Sequence, residues 1–142
     1  MTPRDLLVES FRAALTAADP VVIVPKHLPP PPKGRTLVVG AGKAAAAMAK
    51  AVEMAWPADA PLDGVVITRY AHGYTGDEAL KRIRVVEAGH PVPDNAGEQA
   101  AKEIFAQARS LFEDDLLLVL VSGGGSSLLS LPAEGLTMAD LK

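Results

Sequence analysis

Apolar residues along this chain gather into two kinds of run, and their spacing predicts the elements. Four short apolar blocks read as strands: "TLVVG" at 36–40, "GVVIT" at 64–68, "IRVVE" at 83–87 and "DLLLVLV" at 115–121. The first and last are apolar at nearly every position, the pattern expected of strands covered on both faces in a parallel sheet. Apolar positions at helical spacing mark three further segments. Leu7, Phe11, Ala14 and Ala18 follow the helix-opening pair Thr2-Pro3, and Asp19-Pro20 closes that helix, an amphipathic lid or brace. A second helix runs from about Lys43 to Trp56 on a buried stripe of Met48, Val52 and Ala55, its alanine run seating it close to the sheet. A third runs from about Ala96 to Phe112, opened by Asn95 with Glu98 as a capping box.

Between the first helix and the first strand, "VPKHLPPPPKGR" at 24–35 predicts neither helix nor strand, because consecutive prolines supply no amide donors. It reads as a stiff connector, with His27 a solvated loop residue. The order helix, strand, helix, strand, strand, helix, strand predicts an α/β fold: a Rossmann-like three-layer domain with a mainly parallel sheet and helices on both faces. One N-terminal α/β domain, 1–142, accounts for the chain. Thr137 and Asp140 in "LTMADLK" form a helix-start signature with barely one turn following it, so the expectation is an N-terminal piece of a longer protein.

Composition narrows the function classes. The 14 Lys and Arg residues stand against 17 Asp and Glu, with no basic run interleaved with aromatics, which argues against nucleic acid as a partner. Cysteine is absent, so disulfide and thiolate chemistry are excluded. No apolar run reaches membrane-span length and the N-terminus lacks a signal-peptide pattern, which together with the missing cysteines fits a cytoplasmic protein with no membrane partner.

The chemistry concentrates in loops that follow strands. Gly40-Ala41-Gly42-Lys43-Ala44-Ala45 fits G-x-G-x-x-G/A between a strand and a helix, where glycines permit a sharp turn and close approach to a ligand, and the helix start favours an anion. A nicotinamide site would want an acid at the end of the second strand, but Thr68-Arg69-Tyr70 stands there, and Asp63 precedes its strand at the wrong sheet edge. Arg69 keeps a phosphorylated dinucleotide open. A Walker loop is absent. Lys43 beside a helix start suits phosphates or a developing anion. Ser122-Gly123-Gly124-Gly125-Ser126-Ser127 offers a row of unobstructed amides flanked by hydroxyls, an anion nest, and loops after parallel strands converge on one edge. In "EAGHPVPDNAG", His90 is open to a general-base, hydroxyl-binding or structural role, and Asp94 lies by the next helix start. His72 lies in a glycine-rich and polar stretch that reads as a mobile loop, too far along the chain from His90 for metal-ligand spacing.

Taken in order, "VVGAGKAAAAMAKAVE", "VVEAGHPVPD" and "LVLVSGGGSSLL" resemble the N-terminal domain of the glycerate 2-kinase family, whose C-terminal part is called MOFRL and whose members often carry a hydroxypyruvate reductase label. The resemblance covers nearly the whole chain. It implies a Rossmann-like domain and transfer of the ATP γ-phosphoryl to the 2-hydroxyl of D-glycerate with a divalent metal, Mg2+. It implies a phosphoryl-transfer role for Lys43, phosphate or carboxylate binding by Ser122 to Ser127 with Gly40 and Gly42, and a cleft position for Gly89 to Asp94, including substrate contacts from His90 and Asp94. The family's C-terminal domain lies outside this sequence, so the chain alone is expected to be inactive. Two other readings stay open: an NAD(P)H-dependent hydroxypyruvate reductase, and a non-catalytic nucleotide-binding or oligomerisation fragment. A homodimer is compatible with the sequence, and no motif specifies the oligomeric state.

Overall fold

The computed structural model describes residues 1–141. Helix α1 (Pro3–Ala17) is followed by a short helix α2 (Pro20–Ile23) and a 3-10 turn at Val24–His27. Strand β1 (Thr36–Gly42), helix α3 (Ala45–Ala55), strand β2 (Leu62–Arg69), a 3-10 turn at Gly76–Glu78, strand β3 (Ile83–Ala88), helix α4 (Asn95–Arg109) and strand β4 (Leu116–Ser122) complete the chain. All four strands pair in parallel, in the order β3-β2-β1-β4. The expected α/β, Rossmann-like parallel sheet is therefore present.

The sheet is covered on both faces because its strand residues alternate between two cores. Val38, Val66 and Leu120 pack with Ala45, Ala49, Val52 and Trp56 of the α3 layer. Leu37, Val39, Val65 and Ile67 pack with Ala100 and Ile104 of α4. The α3 stripe thus differs from the expected one: Ala55 is exposed, and Trp56 takes the end of the buried face.

Four other expectations need correction. Segment 24–35 begins with a 3-10 turn, because Asp19 accepts the Val21 amide (2.9 Å) and starts a helical path that runs through Pro20 into it. Helix α4 is capped by Asp94, not Asn95: the Asp94 carboxylate accepts the Gly97 amide at 3.1 Å. Among the described residues strand β4 is an edge strand whose alternate residues Leu117, Val119 and Val121 are exposed, so one of its faces is left uncovered by them. Helix α1 buries none of its residues, Leu7 and Phe11 of its apolar face are exposed, and it touches the short helix α2 rather than packing on the sheet core among the described residues. Its Thr2 and Asp5 nonetheless form a full capping box. The Thr137 signature forms a single turn, with the Thr137 amide and hydroxyl both donating to Asp140 at 2.7 Å.

Candidate active site

Parallel strands place all their following loops at one edge, and three of those loops meet in a cleft of about 570 Å³. Lys43 comes from the β1–α3 turn, His90 and Pro91 from the β3–α4 loop, and Ser122, Gly123, Gly124, Ser126 and Ser127 from the end of β4 and its loop. Lys43 is exposed, and His90 is half-buried beside a cis peptide bond to Pro91. Among the described residues, eight of the chosen positions are thereby sorted: Lys43, His90, the three serines and two glycines line the cleft, while Gly125 packs against Ala41 instead.

Gly40 and Gly42 have a packing role that the sequence did not announce. Both are buried in β1, and a Cβ at either would drive into the carbonyl oxygen of its β4 neighbour, Leu120 or Ser122. These glycines bring two strands together. Gly42 also has φ of +135°, a conformation costly for any other residue. By contrast, a Cβ on Gly123 or Gly124 would meet nothing within 4 Å. Gly123 has φ of +65°, which turns the chain out of β4 into the loop. The loop is closed behind by Ser130, whose buried hydroxyl donates to the carbonyls of Ser126 (2.7 Å) and Ser127 (3.2 Å).

Asp94 does not line the cleft. Besides capping α4 it accepts the Tyr70 hydroxyl at 2.7 Å, joining the loop after β2 to the loop after β3. Burial pushes its carboxyl up, but the Gly97 amide, the Tyr70 hydroxyl and the Gly89 and Ala96 amides outweigh this and hold it below the ordinary carboxylate range. The same bond raises the Tyr70 phenol. The stretch containing His72 is tied down rather than loose. Glu87 accepts the His72 and Gly73 amides (3.1 and 2.8 Å), His72 Nε2 accepts from Arg69 at 2.9 Å, and Lys50 lies 4.4 Å from the Tyr74 ring centroid. The Gly73 amide leads the contacts that hold Glu87 below its ordinary pKa. Tyr70, Glu87, Thr68 and Ser130 received no role from the sequence, because each acts through a partner that is distant along the chain or through backbone carbonyls.

The acid that a nicotinamide ribose would need is absent from the end of β2, and Asp63 lies at the opposite edge, 2.8 Å from Arg35. No group of three or more His, Asp or Glu side chains suited to a metal ion occurs among the described residues, and no carboxylate lines the cleft. The Mg2+ implied by the resemblance finds no ligand set in these residues. No described helix is long and apolar enough to cross a membrane.

A parallel sheet flanked by helices, with glycine-rich segments and a lysine beside a cleft at the carboxyl edge of its strands, defines a Rossmann-like α/β protein. Residues 6–142 match the family described as "Domain of unknown function (DUF4147)", and the chain belongs to that family. It is 49% identical over 140 residues to an Agrobacterium vitis protein provisionally named hydroxypyruvate reductase, an alignment covering 99% of this chain and 31% of that protein. It is 39% identical over 138 residues to the glycerate 2-kinase of Pyrococcus horikoshii, covering 94% of this chain and 29% of the relative. The crystal structure of a glycerate kinase from Thermotoga maritima superposes with a TM-score of 0.80 at 33% identity, over 96% of this chain and 32% of the other. The chain thus spans about a third of the length of the relatives it matches.

Proposed function

We propose that this chain carries the phosphate-handling half of a glycerate 2-kinase site, in which the 2-hydroxyl of D-glycerate receives the γ-phosphoryl group of ATP. The observation that supports this most is that Lys43 and the open Gly123–Gly124 backbone line one cleft. Phosphoryl transfer asks for positioning and charge neutralisation more than covalent chemistry, and this cleft offers both. In this reading the hydroxyl oxygen bonds to the γ-phosphorus as the bond to the β,γ-bridging oxygen breaks. ADP leaves with that electron pair, and the hydroxyl proton passes to a base or to solvent. Lys43 neutralises charge on the transferred group, the amides of the 122–127 loop hold its oxygens, and His90 is placed to contact the substrate hydroxyl or take its proton. Magnesium would enter with the nucleotide phosphates, and the reaction belongs in the cytoplasm, where ATP is held.

The test is ADP release on mixing D-glycerate with ATP and magnesium, in protein of the relatives' length. Lys43→Ala should lower kcat by roughly 10²–10³-fold with the fold intact. Unchanged turnover removes Lys43 from the reaction. Steady loss of NAD(P)H absorbance with hydroxypyruvate would favour the reductase reading instead. ATP-dependent thermal stabilisation without turnover would favour a binding fragment.

A further inference from the structure

Lys43 is useful only if its turn holds one shape, and the turn itself offers little to fix it. The residue is exposed, lies between the end of β1 and the start of α3, and follows a glycine. The peptide unit joining Lys43 to Ala44 is nevertheless gripped at both of its polar ends. Thr68 Oγ1 donates to the Lys43 carbonyl at 3.3 Å, and the Ala44 amide donates to Ser122 Oγ at 3.1 Å. Thr68 belongs to β2 and Ser122 to β4, the two strands that flank β1. One peptide plane is therefore held from both neighbouring strands.

We propose that Thr68 and Ser122 are positioning residues that fix the orientation of the Lys43–Ala44 peptide and so the direction from which Lys43 enters the cleft. Thr68 is fully buried, and a buried hydroxyl without a partner would be costly, so this contact explains a polar residue at an otherwise apolar position. Gly42 makes the other half of the clamp feasible. It pairs directly with Ser122, and a Cβ there would stand 2.8 Å from the Ser122 Cβ.

Ser122 has a second consequence. A serine hydroxyl offers one donor and two acceptor positions. In accepting from Ala44 it keeps its own proton, and the residue lines the cleft. An anion oxygen that accepts a hydrogen bond from this hydroxyl is joined through Ser122 to the Lys43 turn, and a hydroxyl that already accepts a hydrogen bond is the better donor. Occupancy by a phosphate oxygen therefore tightens the turn that presents the lysine.

The importance of this clamp for turnover rests on the phosphoryl-transfer reading; the clamp itself does not. Amide hydrogen exchange at Ala44, followed by NMR in this chain, separates the two. Ser122→Ala should speed Ala44 exchange by roughly tenfold while Val38 and Val39 stay protected, and Thr68→Val should speed it less. Thr68→Ser, which retains the donor, should restore the wild-type rate. In the ADP-release assay Thr68→Val should lower kcat roughly tenfold at unchanged KM, with Thr68→Ser again restoring it. Unchanged Ala44 exchange in folded Ser122→Ala and Thr68→Val would overturn the clamp. Faster exchange in a protein that never phosphorylates glycerate would keep the clamp and remove the kinase. Should Thr68→Val fail to fold, Ser122→Ala alone decides.

Discussion

The two glycine-rich turns of this chain are alike as text and opposite as structure. At the end of β1, leading into the first turn, Gly40 and Gly42 are buried where β4 presses against them, and no side chain fits. In the turn after β4, Gly123 and Gly124 face open space, and what they offer is bare backbone. The first pair is required by packing, while the second is available to a ligand. A glycine fingerprint therefore contains two separable demands, and in this fold each turn meets a different one.

The sharpest way to break the comparison is Gly40→Ala. Its Cβ would overlap the Leu120 carbonyl and push β4 off the sheet, so urea denaturation should show a loss of about 3 kcal/mol or more. Gly123→Ala should cost less, about 1–2 kcal/mol, because only its positive φ of +65° resists a side chain, and a thermal melt would measure this. Capping by Asp94 offers a third comparison, in a loop that uses a carboxylate where the others use glycine. Asp94→Ala should lose about 1 kcal/mol at neutral pH. Because the folded-state pKa is lowered, that contribution is present above the ordinary carboxylate range and disappears as pH falls through the folded value. Wild type and variant should therefore converge in denaturation midpoint under acid. The smallest effect on the fold belongs to Gly124→Ala, within about 0.5 kcal/mol of wild type, with weakened ATP binding by calorimetry as its signature. A Gly124→Ala protein as unstable as Gly40→Ala would end the distinction between the two turns.

Much of this was legible in the sequence, for reasons that mark where legibility stops. The four strands announced themselves through local apolar runs, and a parallel sheet puts every following loop at one edge, so Lys43, His90 and the 122–127 loop could be brought together in advance. What a glycine packs against is not a local property, so Gly40 and Gly42 could not be told from Gly123 and Gly124. The run "LLLVLV" reads the same whether a strand is covered on one face or two. Asp94 and Asn95 are both good caps, and only the backbone path chose between them. Thr68 looked like the polar end of an apolar strand, and its partner is the Lys43 carbonyl, in the turn after the neighbouring strand β1.

Strand β4, which supplies the cleft with Ser122 and leads into its glycine loop, is also an open sheet edge among the described residues. It pairs only with β1 among the described residues, and it shows Leu117, Val119 and Val121 on its outer face. From Leu116 to Ser122 it contains no charge and no proline, the two devices that commonly protect a sheet edge. Such an edge can template the addition of another extended segment, so in this chain by itself light scattering is expected to rise with concentration. The strand that completes the cleft is thus also the one open to pairing with another copy, and Val119→Lys should reduce that scattering.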